Sequence, residues 1–119
     1  MQVQINTDHN IEGHETLSAH VRGVVESALG HLGDHITRVE VHLSDENGPK
    51  SGRSDKRCMM EARLEGQHPI AVTHHAATPG QAVDGAADKL ARLIESTVGR
   101  LREQMHRRAD PEPNPTGKA

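Results

Sequence analysis

Two stretches of this chain alternate between apolar and polar residues. In Ile36 to Ser44, Val39, Val41 and Leu43 oppose Arg38, Glu40 and His42; in Lys56 to Glu65, Cys58, Met60, Ala62 and Leu64 oppose Arg57, Met59, Glu61 and Arg63. A period of two puts successive side chains on opposite sides of an extended chain. Each stretch is therefore a strand with one face to bury and one to leave open, and a sheet of such strands needs a cover on one side only.

The remaining segments supply that cover and the sheet's other members. Gln2 to Thr7 alternates around Val3 and Ile5 and predicts a short first strand. Leu17, Val21, Val24, Val25, Ala28 and Leu32 recur at helical spacing, which predicts an amphipathic helix over residues 14 to 32, weakened and ended by Gly30 and Gly33. The polar run from Asp45 to Asp55 reads as a turn region, and a tight turn near Gly66 leads into a fourth strand through Ile70 and Val72. Thr78-Pro79-Gly80-Gln81 is a helix start: Thr78 caps, Pro79 takes the first helical position and Gln81 completes a capping box. The helix continues to about His106. The expected fold is α+β in the order β-α-β-β-β-α, a four-stranded sheet with both helices packed on one face. Residues 1–106 form one domain, followed by a Pro-rich, disordered tail over 107–119.

With no Phe, Tyr or Trp among the 119 residues, the core must be built from Val, Ile, Leu, Ala and Met. The same absence excludes base stacking on aromatic side chains, the usual device of sequence-specific readers of single-stranded RNA. Cys58 is the only cysteine, so no intramolecular disulfide forms, and a free thiol suits a reducing compartment. The opening MQVQINTD has neither a basic region nor an apolar run, and no stretch approaches the ~20 apolar residues of a membrane span. The expectation is a cytoplasmic protein with no membrane partner.

Ten histidines invite a metal reading. His74 and His75 are adjacent on a strand and point to opposite faces, so they do not share one ion, and no other spacing matches a zinc site. No Gly-flanked serine or other nucleophile motif occurs, and Cys58 sits on an inward face. The reading is a protein without metal, cofactor, catalysis or small-molecule substrate.

The last helix carries a different signal. Stepped at roughly 100° per residue, Val83, Ala86, Ala87, Leu90, Ile94, Val98, Leu101 and Met105 share one side. Lys89, Arg92, Arg100 and Arg107 form a stripe on the far side, interrupted by Ser96 and Glu103, while Asp84, Asp88, Glu95 and Arg102 share a separate flank. From Pro79 to Arg108 there are six Lys/Arg and four Asp/Glu, a balance of +2. The rest of the chain holds eight and thirteen, a balance of −5, which together give the formal net charge of −3. A segregated basic stripe can follow a phosphate backbone, although basic residues near a helix C-terminus also favour the helix dipole.

The phrases "NTDHNIEGHETL", "HITRVEVHLSDEN", "DKRCMMEARLEG" and "AVDGAADKLARLIESTVGRLRE", in this element order, resemble the ribosome-associated hibernation factors, the family of the short hibernation promoting factor and the ribosome-associated inhibitor A. The resemblance covers about residues 1 to 105. It implies a non-enzymatic, stress- and stationary-phase translation regulator that binds the small ribosomal subunit, contacts its rRNA and blocks the decoding channel. The fold it implies also resembles a double-stranded-RNA-binding domain. Lys89, Arg92 and Arg100 match basic positions of the family's last helix. Arg22 lies on the first helix, the other RNA-facing element, with Arg107 in support. The pattern is that of a short, diverged member: Ser96 and Glu103 break the stripe, and Glu15 and Glu26 flank Arg22. The alternative is a stress-related protein–protein adaptor that keeps the fold without rRNA binding and forms a homodimer through the uncovered sheet face or an edge strand.

Overall fold

The structure, a computed structural model, describes residues 1–8, 11, 14–46 and 56–109, with the side chains of residues 14 and 106–109 excepted. In chain order it contains β1 (Gln2–Thr7), α1 (His14–Leu29), a 3-10 turn (Gly30–Leu32), β2 (Ile36–Asp45), β3 (Lys56–Leu64), β4 (Ile70–Ala76) and α2 (Pro79–Ala109). This is the order the periodicities predict. The spatial order of the sheet is also β1-β2-β3-β4. β1 runs parallel to β2, because α1 carries the chain back to the same end, and the two remaining pairs are antiparallel.

Burial follows the alternation. Val39, Val41 and Leu43 of β2 and Cys58, Met60, Ala62 and Leu64 of β3 all point into the core. α2 covers β3 and β4 and lies beside α1. Both helices are on the same face. α1 contributes Val21, Val25 and Leu29, and α2 contributes Ala82, Val83, Ala86, Ala87, Leu90, Ile94 and Val98. Leu29, which the helical spacing did not single out, is fully buried, whereas Leu17, Val24 and Ala28 only border the core.

The ends of the elements are set by local chemistry. Gly66 turns the chain between β3 and β4 with φ of 74°, a conformation that favours glycine. Thr78 caps α2, its hydroxyl accepting from the Gln81 N–H at 3.1 Å. Asp45 extends β2 one residue beyond the expected Ser44 and is buried opposite Lys56, whose ammonium lies 3.4 Å from its carboxylate.

Two expectations about this framework change. α2 runs to Ala109, three residues past the expected end at His106, and the rest of the expected tail, from residue 110 on, lies outside the described residues. Met105, placed on the core side by the wheel, is 67% exposed, and Leu101 is only half-buried. The reason is length. At ~1.5 Å per residue the 31 residues of α2 span about 46 Å, and the helix leaves the sheet after Val98. The charges on the open sheet face pair both along and across strands. The register sets Arg38 against Arg63 and Glu40 against Glu61. Ion pairs run along each strand there, Arg38 to Glu40 and Arg63 to Glu61 at 3.9 Å, and across strands at the other end of the face, where Arg57 of β3 lies 4.0 Å from Glu46, just past the end of β2.

Truncation at the two ends of the apolar side of α2 should separate its supported and unsupported parts. Leu90→Ala, at a fully buried position, is expected to cost about 2–5 kcal/mol in denaturant melts. Met105→Ala should change stability by less than ~0.5 kcal/mol.

Candidate nucleic-acid interface

α2 has two chemically distinct flanks, and its neighbours decide where each one faces. One flank turns toward α1. Asp84 lies 3.2 Å from His20 Nε2, and Glu95 lies 2.9 Å from His31 Nε2. Both contacts join residues 64 apart in sequence, so the two helices run parallel and in register over 11 residues, roughly 16 Å. Between these bridges the helices leave a groove of about 610 Å³, bordered by the small side of each helix, including Gly23, Ala28, Ala87 and Ala91. The acidic flank seen in the sequence is thus the side that meets His20 of α1 and His31 of the 3-10 turn. The wheel separated that flank from the rest but could not name its partners.

The other flank carries the cations. Lys89 Nζ donates to the Thr73 carbonyl of β4 at 3.0 Å. Arg92 is 77% exposed at its side chain and lies 3.0 Å from Asp88 one turn earlier. Arg100 folds back to donate to the Ser96 hydroxyl at 3.0 Å and to the Thr97 hydroxyl at 3.4 Å. Leu93, 46% exposed, lies among them. Ser96 therefore does more than interrupt the stripe, because it holds the Arg100 guanidinium against the helix. An exposed ion pair four residues apart on a helix contributes only ~0.3–0.5 kcal/mol, so Arg92 can exchange Asp88 for another anion at little cost.

Of the sequence-derived candidates, Lys89, Arg92 and Arg100 share this flank. Arg22 does not join them. His20, Val24 and Ala28 of α1 and His31 of the 3-10 turn face α2, and Arg22 points to the opposite flank of α1 with Glu15 and Glu26, all three exposed. Arg107 is on the last turn of α2, where the side chain is outside the described residues.

The histidines stay scattered. His75, exposed on the open face, lies 3.3 Å from Glu46, and His42 lies 3.5 Å from Glu40. His74 points the other way, under α2, where a Cβ at Gly85 would fall 2.1 Å from its ring. Glycine at that position lets the helix close over the imidazole. Among the described residues no group of three or more His, Cys, Asp or Glu could hold a metal ion, and no helix is long and apolar enough to cross a membrane.

Residues 5–102 match a family model described as Sigma 54 modulation protein / S30EA ribosomal protein. Two solved structures share the fold. The crystal structure of the Thermus thermophilus Protein Y N-terminal domain superposes with a TM-score of 0.59 at 23% identity, covering 82% of this chain and 99% of that one. A ribosomal subunit interface protein from Coxiella burnetii gives a TM-score of 0.62 at 16% identity, covering 83% and 99%. No curated protein matches the chain.

Two measurements check this geometry. Gly85→Ala should forfeit the gain of ~0.5–1 kcal/mol that alanine usually brings to a helix interior, because the added methyl must displace the His74 ring. In a His74→Ala background the same substitution should deliver that gain. Desolvation pushes the Cys58 thiol up from 9.0 to about 12, with Arg57 pulling weakly the other way. The buried neutral thiol then stabilises the fold fully below its unfolded value, and this contribution is lost as pH rises from about 9 toward 12. Alkylation of native protein by a thiol reagent at mildly alkaline pH should accordingly proceed only as fast as the chain opens.

Proposed function

The chain belongs to the Sigma 54 modulation protein / S30EA ribosomal protein family, and on that premise we propose that it is a ribosome-associated translation regulator acting in hibernation. It binds rRNA of the small ribosomal subunit and obstructs the decoding channel by occupancy and charge, without catalysis. The observation that carries this reading is the outer flank of α2. In a chain of formal net charge −3, Lys89, Arg92 and Arg100 are gathered there, while Asp84 and Glu95 are occupied by His20 and His31 on the other side. Segregation of that kind creates a local positive field that a phosphate backbone can follow despite the overall sign.

The residues have different weights in this reading. Arg92 and Arg100 supply planar guanidinium forks suited to phosphate oxygens. Lys89 contributes charge, although its ammonium also serves β4. Arg107, at a position nearer the end of α2, is proposed in support. Arg22 contacts RNA only where the RNA wraps past α1 to its far flank. No aromatic side chain is available for stacking, so recognition follows backbone shape and charge rather than base identity.

Sedimentation with purified small subunits tests the proposal. With three or four phosphate contacts at ~0.7 counterion each, the logarithm of the binding constant should fall with the logarithm of salt with a slope of roughly −2 to −3. The double variant Arg92→Glu and Arg100→Glu should abolish co-sedimentation and leave the melting temperature unchanged, since both side chains are exposed. Arg57→Gln with Arg63→Gln on the open sheet face should bind like the parent. A parent protein that fails to co-sediment even at low salt would overturn the reading in favour of a protein–protein adaptor.

A further inference from the structure

The two edges of the sheet are finished differently. The Asp8 amide donates to the Leu43 carbonyl of β2 at 2.9 Å. By alternation along β1, the peptide groups of Gln2, Gln4 and Asn6 then face β2, and those of Val3 and Ile5 face outward. Carried across the sheet through the paired registers, the same alternation turns the peptide groups of Ala71, Thr73 and His75 to the outer edge of β4. There Lys89 occupies the Thr73 carbonyl. A lysine laid on an edge is one of the devices that keep a strand from recruiting another. β1, with the sequence QVQINT, carries no charged residue and no proline.

We propose that the outer edge of β1 pairs antiparallel with β1 of a second copy of this chain, about a two-fold axis through Gln4, to form one continuous sheet. The strand is self-complementary about that residue. The axis sets Gln2 against Asn6, Val3 against Ile5, and Gln4 against its own counterpart. Val3 and Ile5, the residues with outward peptide groups, thereby become the hydrogen-bonded pairs, while Gln4 meets its counterpart as the close, non-hydrogen-bonded pair. The faces match as well. Val3 and Ile5 are half-buried on the helix side, where pairing lays them side by side, and Gln2, Gln4 and Asn6 form an uncharged amide row on the open side. A slip of one residue would set Val3 against a glutamine and cross the two faces. A second copy is the occupant argued here because it supplies the same alternation, read backwards, with no charge brought to the edge. Each copy has a formal net charge of −3, so this association should strengthen slightly with salt, the opposite sign to phosphate binding.

Sedimentation equilibrium of the full chain provides the test. The parent's mass should rise from 12.9 kDa toward twice that value with concentration. Gln4→Lys places two like charges on the axis and should raise the dissociation constant at least about tenfold, equivalent to ~1.4 kcal/mol. It should leave the melting temperature of dilute protein unchanged, because Gln4 is exposed and lies opposite Glu40 in the register. Mixing Gln4→Lys with Gln4→Glu should restore dimers. Val3→Pro removes an outward N–H without touching a bond to β2 and should also give monomers. A parent that stays at 12.9 kDa at every concentration, or dimers that persist in both Gln4→Lys and Val3→Pro, would overturn the proposal.

Discussion

The close seating of α2 on β3 and β4 governs the rest of this structure. Without aromatic residues the core is a thin layer of Val, Leu, Ile, Ala and Met, and it fills only when helix and sheet approach closely. α2 meets that demand with Ala82, Val83, Ala86 and Ala87 in its first turns, and with Gly85 over the His74 ring. The approach is local to this half of the helix. Beyond Val98 there is no sheet to cover, and the apolar side of α2 runs out into solvent at Met105.

That seating also sets the electrostatics. Once the small residues of α2 face the sheet, the two flanks have no freedom left. Asp84 and Glu95 fall beside His20 of α1 and His31 of the 3-10 turn, and Lys89 comes within reach of the β4 edge. A helix of mixed charge is thereby divided into a side that bonds within the protein and a side, carrying Arg92 and Arg100, that is exposed to whatever approaches. The open sheet face is arranged differently. There Arg38 opposes Arg63 and Glu40 opposes Glu61 across β2 and β3, each compensated along its own strand, and Arg57 is compensated by Glu46, so the face presents alternating signs rather than a field of one sign. This contrast is why the cationic flank of α2, and not the sheet, supports the RNA-binding proposal.

The edges obey the same logic. Lys89 is drawn to Thr73 because α2 lies on that half of the sheet, whereas β1 carries no charged side chain of its own. That uncharged strand, with the peptide groups of Val3 and Ile5 turned outward, is where the proposed pairing would extend the sheet.

The sequence by itself determined the element order, the inward and outward faces of β2 and β3, the Thr78 cap and the side of α2 that is buried, because each follows from a short period or a contact between near neighbours in the chain. It also carried the family resemblance and placed Lys89, Arg92 and Arg100 on one stripe. Tertiary structure alone decided the partners across the chain: His20 with Asp84, His31 with Glu95, Lys89 with Thr73, and the turning of Arg22 to the far flank of α1. It alone decided as well that Arg38 faces Arg63 and that Met105 is bare. Periodicity fixes the direction of a side chain relative to its own element, whereas a partner depends on which element lies alongside, in what register and for what length, and those are set by packing between segments that are distant in sequence.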